Sequence, residues 1–429
     1  MMNKERGFAT NQVHAGYETE RTTGAFVPPI YQTAGYEFED TADAAAQFEL
    51  AKPGSIYTRL ANPTVAVLEK RITALSGGVG TVCFASGMAA LLAAIQNMAE
   101  TGSEIISMSQ IYGGSYTLLF DRFEKRYGIR VHKVDAEDLA AMKAAINEKT
   151  RCIYIETLGN PLINIPDIEG IAAIAHEAGL PLISDDTFAT PYLLDSKKHG
   201  IDFTVHSMTK YIGGHGNSVG GSVTDLGTFS FKGNPRFAEF NEPDNSYHGL
   251  TYADLGQGGY MAKLRAGFLR DTGACLSPFN AFLFLMGLDT LNLRMERHCE
   301  NTQKVAEFLQ NHPAVAWVNY PGLPGNAYYE RAQKYFPKGA GGILAIGVKG
   351  GLKETQKFIE ALEIFRFVAH VSDVRSMVTH PASTTHSQLS PDDMVKEGIA
   401  PEMVRVSVGI EDLEDLLADL DQALKVSQE

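Results

Sequence analysis

Between residues 64 and 210 the chain alternates short apolar, β-branched runs with helical stretches, and this alternation narrows the possible folds more than any other feature. The strand-like runs are Thr81 to Ala85, Glu104 to Gln110, Val131 to Asp135, Cys152 to Glu156, Leu182 to Thr187 and Asp202 to His206. Between them lie an alanine- and leucine-rich helix after Ser86-Gly87-Met88, helical runs over Leu118 to Tyr127 and Glu137 to Ile146, and a fourth helix. That fourth helix carries Ile168, Ile171, Ala172 and Ala175 on one stripe, with Pro166 ahead of it and Gly179 ending it. Strand and helix in alternation predict an α/β fold with a mostly parallel central sheet covered on both faces. In such sheets ligand sites form at the carboxyl ends of strands. Ser86, Asn160, Asp185 and Lys210 all fall at or just beyond a predicted strand end.

The flanks read differently. Residues 1–63 are rich in glycine, proline and aromatics, with little helical period before Thr41 to Leu50, and predict an extended arm. The arm ends in SIYTRLANPT, where Tyr57 and Arg59 would point the same way in an extended segment. Residues 64–275 form the α/β unit, and within it Phe229 to Arg270 fits no regular period. Residues 276–429 open with a long apolar helical stretch and continue into strand-like runs GILAIGV, FRFVAHV and VRVSVGI. The last helix places Leu413, Leu416, Leu417, Leu420 and Leu424 on one face, so a small C-terminal α+β domain is expected.

Composition removes several classes of function. With 37 basic against 51 acidic residues the formal charge is -14, which opposes nonspecific attraction to nucleic acid or an anionic membrane. No apolar run approaches the roughly 18 residues of a spanning helix, and MMNKERGFATNQ lacks a signal-peptide core. Cys83, Cys152, Cys275 and Cys299 are far apart without CxxC spacing, as in a reduced, cytoplasmic protein.

The chemistry is concentrated in IDFTVHSMTKYIGGHGNSVGG, residues 201–221. Lys210 stands where an apolar strand gives way to glycines, flanked by the hydroxyls of Ser207 and Thr209, so an amine and an anion site can share one loop. The small-residue turn at Ser86-Gly87-Met88 opens a helix and offers free amides to an anion. Asp185 and Asp186 are adjacent, and strand alternation puts them on opposite faces.

SMTKYIGGHG resembles the cofactor-lysine segment of the pyridoxal phosphate (PLP) enzymes of cysteine and methionine metabolism, and further motifs follow in family order from about Gly7 to Asp415. The resemblance implies a fold-type I PLP-dependent transferase with Lys210 as the Schiff base lysine. It implies Gly87, Met88, Ser207 and Thr209 around the cofactor phosphate, completed by Tyr57 and Arg59 from a neighbouring subunit. Tyr112 matches the ring-stacking tyrosine and Asn160 an asparagine near the cofactor and the substrate carboxylate. The segment similar to DNTFATPY aligns its first aspartate with Asp185, the pyridine-nitrogen partner, while Asp186 stands at the usual asparagine position. Arg405 in VRVSVGIED matches the arginine that takes the substrate α-carboxylate. Ser372 lies near the expected carboxylate loop, in a segment a few residues shorter than the family pattern.

Within the family, FNEPDNSYHGL, SPFNAFLFLMGLDTLNLRMERH and HPASTTHSQL most resemble the sulfhydrylase branch that acts on O-acetylhomoserine. Methionine γ-lyases typically carry a cysteine two positions after the stacking tyrosine, and here that position is Gly114. The expected reaction is γ-replacement of acetate by sulfide or methanethiol, with lyase and cystathionine γ-synthase-like activities as alternatives. The expected assembly is a homo-oligomer, a tetramer built from dimers that share active sites. Other classes fit less well. His206, His215, His380 and His386 show no zinc-hydrolase spacing, and GGHGNSVGG is not a dinucleotide fingerprint. A noncatalytic binding or assembly protein would leave a lysine, an aspartate and an arginine at strand ends unexplained.

Overall fold

The computed structural model describes the whole chain except residues 1–5, 50–51, 53, 385–393 and 395–397, so His386 and the second half of HPASTTHSQL lie outside the described residues. The arm is extended for much of its length but contains two helices, α1 (Phe8–His14) and α2 (Thr41–Phe48). Helix α3 (Pro63–Ser76) begins where Asn62 accepts from the amides of Thr64 and Val65, with Pro63 in the first turn. It ends at Gly77, whose φ of 63° is the left-handed cap that glycine adopts cheaply.

The first sheet has seven strands: β1 (Gly80–Phe84), β2 (Glu104–Met108), β3 (Arg130–Val134), β4 (Thr150–Glu156), β5 (Leu182–Asp185), β6 (Phe203–Ser207) and β7 (Gly221–Asp225). Their order is β1-β7-β6-β5-β4-β2-β3. All neighbours are parallel except β7, which runs antiparallel to both β1 and β6. The alternation of the sequence therefore becomes the expected mostly parallel sheet, with one inserted strand that it does not reveal. Strand β7 pairs Gly221 with Ser207 and Asp225 with Phe203, so the Lys210 loop is the link that turns the chain back from the carboxyl end of β6.

Two glycines make that link compact. A Cβ on Gly221 would fall 2.2 Å from the Ser86 carbonyl oxygen, and one on Gly87 would fall 2.6 Å from Ser207 Cβ. Their hydrogens let the start of β7, the end of β6 and the Ser86 turn close on one another. The turn opens α4 (Gly87–Gln96), where Ser86 Oγ accepts from the Ala89 amide.

The smaller sheet comprises β8 (Val315–Asn319), β9 (Ile343–Val348), β10 (Arg366–Phe367), β11 (Met377–Thr379) and β12 (Met403–Ser407), in the order β10-β11-β12-β9-β8. Leu416, Leu420 and Leu424 of the last helix are fully buried, while Leu413 and Leu417 at the margin are half-buried. The long helical stretch after residue 276 is two helices, Pro278–Leu288 and Leu291–Gln310, joined by a short turn. The aperiodic segment carries a cluster of Phe229, Phe231, Phe237 and Phe240 that packs on Phe203 and Tyr260.

Candidate active site

At the carboxyl ends of β4, β5 and β6 lies a cavity of about 330 Å³ that gathers Lys210, Asp185, Arg405, Asn160, Tyr112 and the Ser86 turn. Parallel strands end together, so side chains far apart in sequence converge without special loops. The second sheet reaches the same cavity through Arg405 of β12. That guanidinium is 3% exposed, donates to Asn160 Oδ1 at 2.8 Å and to Thr379 Oγ1 at 3.2 Å, and has no partner for Nε among the described residues. Burial lowers it to about 10, which still leaves it cationic at neutral pH. A fixed cation with an available donor in a cavity has the chemistry to receive a carboxylate.

The Lys210 amine is lowered to about 8, first by burial and then by the charge of Arg405. It can therefore lose its proton near neutral pH, as a base must. Asp185 is raised to about 6 by burial, opposed by Thr187, whose amide donates to Asp185 Oδ1 at 2.9 Å. The two aspartates part as strand alternation requires. Asp186 lines a separate cavity of about 610 Å³ together with His206, and Ser196 Oγ donates to Asp186 Oδ2 at 2.5 Å. The larger cavity holds neither Lys210 nor Arg405.

The anion cradle is built from the elements the glycines bring together. Gly87, Met88, Ser207 and Thr209 all line the smaller cavity. The first amides of α4 have no partner within a helix, and they carry the positive end of its dipole. Thr209 Oγ1 accepts from the Gly220 amide at 3.2 Å, which pins the Lys210 loop.

Three of the expected residues are placed outside this cavity in their own chain. Tyr57 is 44% exposed, and Arg59 donates to the Arg270 carbonyl and lies over the Tyr57 ring. Ser372 is fully buried with φ 65°, its amide donating to Ser407 Oγ at 2.8 Å. It does not line the cavity, because this left-handed turn directs its side chain toward Tyr211 in the interior. His370 and Val371 of the same loop line it instead.

Two ionisable cavity residues were not anticipated from the sequence. Glu156 ends β4 beside Asp185 and accepts the Tyr112 amide at 2.8 Å. Burial, then the charge of Asp185, holds it well above the usual carboxylate range, and the bond it accepts supports the Tyr112 turn. A glutamate closing an apolar strand, RCIYIE, was the available signal. His370 Nδ1 lies 3.2 Å from Lys210 Nζ, and its loop offers no periodic pattern that would single it out. Gly114 also acquires a role. A Cβ there would fall 2.5 Å from Tyr112 Cε1, so any side chain at 114 would displace the Tyr112 ring.

Comparison with known proteins agrees with this geometry. The profile of the family described as "Cys/Met metabolism PLP-dependent enzyme" matches residues 9–425. An O-acetyl-L-homoserine sulfhydrylase of Leptospira meyeri is 47% identical over 426 residues, covering 97% of this chain and 96% of the relative. A homocysteine synthase of Schizosaccharomyces pombe is 43% identical over 423 residues, with 98% of each chain covered. A Campylobacter jejuni structure described as an O-acetylhomoserine (thiol)-lyase superposes with a TM-score of 0.95 at 40% identity, covering 98% of this chain and all of that one. It was solved with N'-pyridoxyl-lysine-5'-monophosphate.

Proposed function

Because the chain belongs to the Cys/Met metabolism PLP-dependent enzymes, we propose that it replaces the acetate of O-acetylhomoserine with sulfide, giving homocysteine and acetate. Methanethiol in place of sulfide would give methionine. The observation that carries this reading is one cavity holding a lysine amine of lowered proton affinity, a buried carboxyl and a buried arginine with a free donor.

The residues present fit PLP. The cradle of Gly87, Met88, Ser207 and Thr209 suits its phosphate, and the close approach that only glycine allows at position 87 supports that assignment. Asp185 suits the pyridine nitrogen, and Tyr112 the ring face. When bound, PLP supplies an electron sink for charge developing at the substrate α-carbon.

Arg405 takes the substrate α-carboxylate, with Asn160 holding one guanidinium nitrogen so that the fork faces the cavity. Lys210, with its amine free, would carry one proton at a time, first from the α-carbon and, once that proton has been passed on, from the β-carbon. Acetate leaves from the γ-carbon, and sulfide adds there as the protons return. Tyr112 assists from the ring face. Glycine at 114 supports replacement over degradation, since it leaves the Tyr112 ring undisplaced.

Tyr57 and Arg59 complete the phosphate site from another copy of the chain, in a tetramer built from dimers. Their position outside their own cavity and the exposed apolar residues Phe26, Val27 and Ile30 of the same arm support that role. Four free cysteines, three of them buried, support a reducing cytoplasmic setting. Among the described residues no helix is long and apolar enough to cross a membrane.

The test is an assay series on PLP-loaded protein: O-acetylhomoserine with sulfide, methanethiol or cysteine, then methionine alone. Homocysteine and acetate in equal amounts are expected from the first pair. Rapid α-ketobutyrate release from methionine without any replacement product would make the protein a lyase.

A further inference from the structure

We infer that His370 is a positioning residue that holds the free amine of Lys210 within the cavity, as a neutral hydrogen-bond acceptor, while the lysine is not bonded to the cofactor. The inference rests on the role proposed for Lys210. The geometry is direct: His370 Nδ1 lies 3.2 Å from Lys210 Nζ, and both residues line the same cavity. Among the described residues no carboxylate pairs with Nζ, and His370 is its hydrogen-bond partner.

The kind of partner matters. A lysine that must act as a base faces two opposite failures. Left free, its four-carbon stem samples many rotamers and the amine is seldom aimed at the substrate. Paired to a carboxylate, the amine is aimed but held charged, because an opposite charge raises its proton affinity. A neutral imidazole avoids both, fixing the amine by a hydrogen bond while adding no charge. The surroundings keep His370 neutral. Burial holds it down at about 4, the Lys210 charge adds to that and Arg405 contributes, against a single opposing carboxylate, Asp373, whose Oδ2 is 4.0 Å from His370 Nε2. With Nδ1 accepting from Lys210, the proton of the neutral ring sits on Nε2.

The loop explains why this residue is in reach. His370 and Val371 line the cavity, and Ser372 next to them takes the left-handed conformation that turns the chain back toward β12, where its amide meets Ser407 Oγ. Asp373 then anchors the turn by accepting from the Arg375 amide at 3.0 Å and from its guanidinium at 2.9 Å. The segment that reads as short against the family pattern is thus a tight turn, and it carries an imidazole to the lysine.

The experiment uses the PLP-loaded enzyme and L-norleucine, which has no leaving group, and follows exchange of its α-proton in heavy water by NMR. Exchange reads proton transfer alone and needs neither acetate release nor sulfide. His370→Ala is expected to slow exchange by about 100-fold or more, within the range typical of positioned acid-base groups, and His370→Asn, which keeps an acceptor, to recover to within about 10-fold of wild type. Cofactor affinity, read from the colour on titration with PLP, and the KM for O-acetylhomoserine should stay within about 3-fold in both variants. Because His370 does not titrate in the working range, His370→Asn should also preserve the shape of the pH profile of exchange between pH 6 and 9. Exchange in His370→Ala within about 3-fold of wild type, or His370→Asn as slow as His370→Ala, would overturn the inference. So would loss of cofactor uptake in both variants, which would make His370 a structural support. Wild-type protein that exchanges norleucine but makes no homocysteine would sink the proposed activity and leave His370 standing.

Discussion

The cavity at the strand ends and the arm of residues 6–63 are built on opposite principles. In the cavity, Lys210, Asp185, Arg405 and Glu156 are all substantially buried, and each is held by secondary structure on which it depends for position. In the arm, Tyr57 is 44% exposed, Phe26 85% and Val27 54%, and Arg59 donates to the Arg270 carbonyl and lies over the Tyr57 ring. Exposed aromatics on an extended segment are unusual for a free surface and mark a contact region. The cavity accordingly holds the residues proposed as base, pyridine-nitrogen partner and carboxylate receptor within one chain, while the proposed cation for the cofactor phosphate comes from another.

The largest expected effect lies in the cavity. Lys210→Ala should lower kcat for homocysteine formation by about 10³-fold or more, since the base and its proton transfers are both lost. Normal turnover in that variant would end the mechanism. Arg59→Ala should weaken cofactor affinity by about 10- to 100-fold, the worth of a charge-assisted contact. Mixing subunits of the two variants sharpens the comparison. If the arm completes a neighbour's site, a hybrid dimer carries one site with both native residues, and the mixture should regain about a quarter of wild-type activity. No recovery, with hybrids demonstrated by mass spectrometry, would return Arg59 to its own chain.

Next in size is the contrast between the two aspartates. Asp185→Asn should lower kcat by about 100-fold, whereas Asp186→Asn, facing the other cavity, should change it by less than about 3-fold. The two variants exchanging those outcomes would show that the carboxylate roles are reversed. Asp186 also has a stability signature. Its folded-state proton affinity is raised by burial, so the folded state binds more protons than the unfolded one above the ordinary aspartate value of 3.8, and stability falls as pH rises from there. Asp186→Asn should therefore gain a few degrees of Tm at pH 8, with the gain fading toward pH 4. Smallest is Arg405→Lys, which keeps the charge but not the fork. It should raise KM for O-acetylhomoserine by about 10-fold while leaving cofactor affinity unchanged.

Residues whose position follows from strand alternation were legible. Asp185 and Asp186 part to opposite faces because the period of a strand is two, and Lys210, Asn160 and Ser86 meet because parallel strands end together. What was not legible depends on tertiary closeness. Strand β7 is five residues, GSVTD, with no apolar run, and becomes a strand through its pairing with β1 and β6. Helix α1 lies in a stretch with one strong apolar anchor, Phe8, which packs edge-on against Tyr192. Ser372 and His370 are two residues apart in a loop, and only the left-handed turn at Ser372 decides which of them faces the lysine. Short loops have no period to read, so a family pattern with a different length there misdirects the choice.

The central claim is that Lys210, at the end of β6, is the residue that holds the cofactor. Borohydride reduction of the PLP-treated protein fixes the cofactor to the lysine it is bonded to, and peptide mass spectrometry then locates it. The account predicts one pyridoxyl group per chain, on the peptide containing Lys210. Label on another lysine, or protein that takes up no PLP and remains colourless, would contradict it.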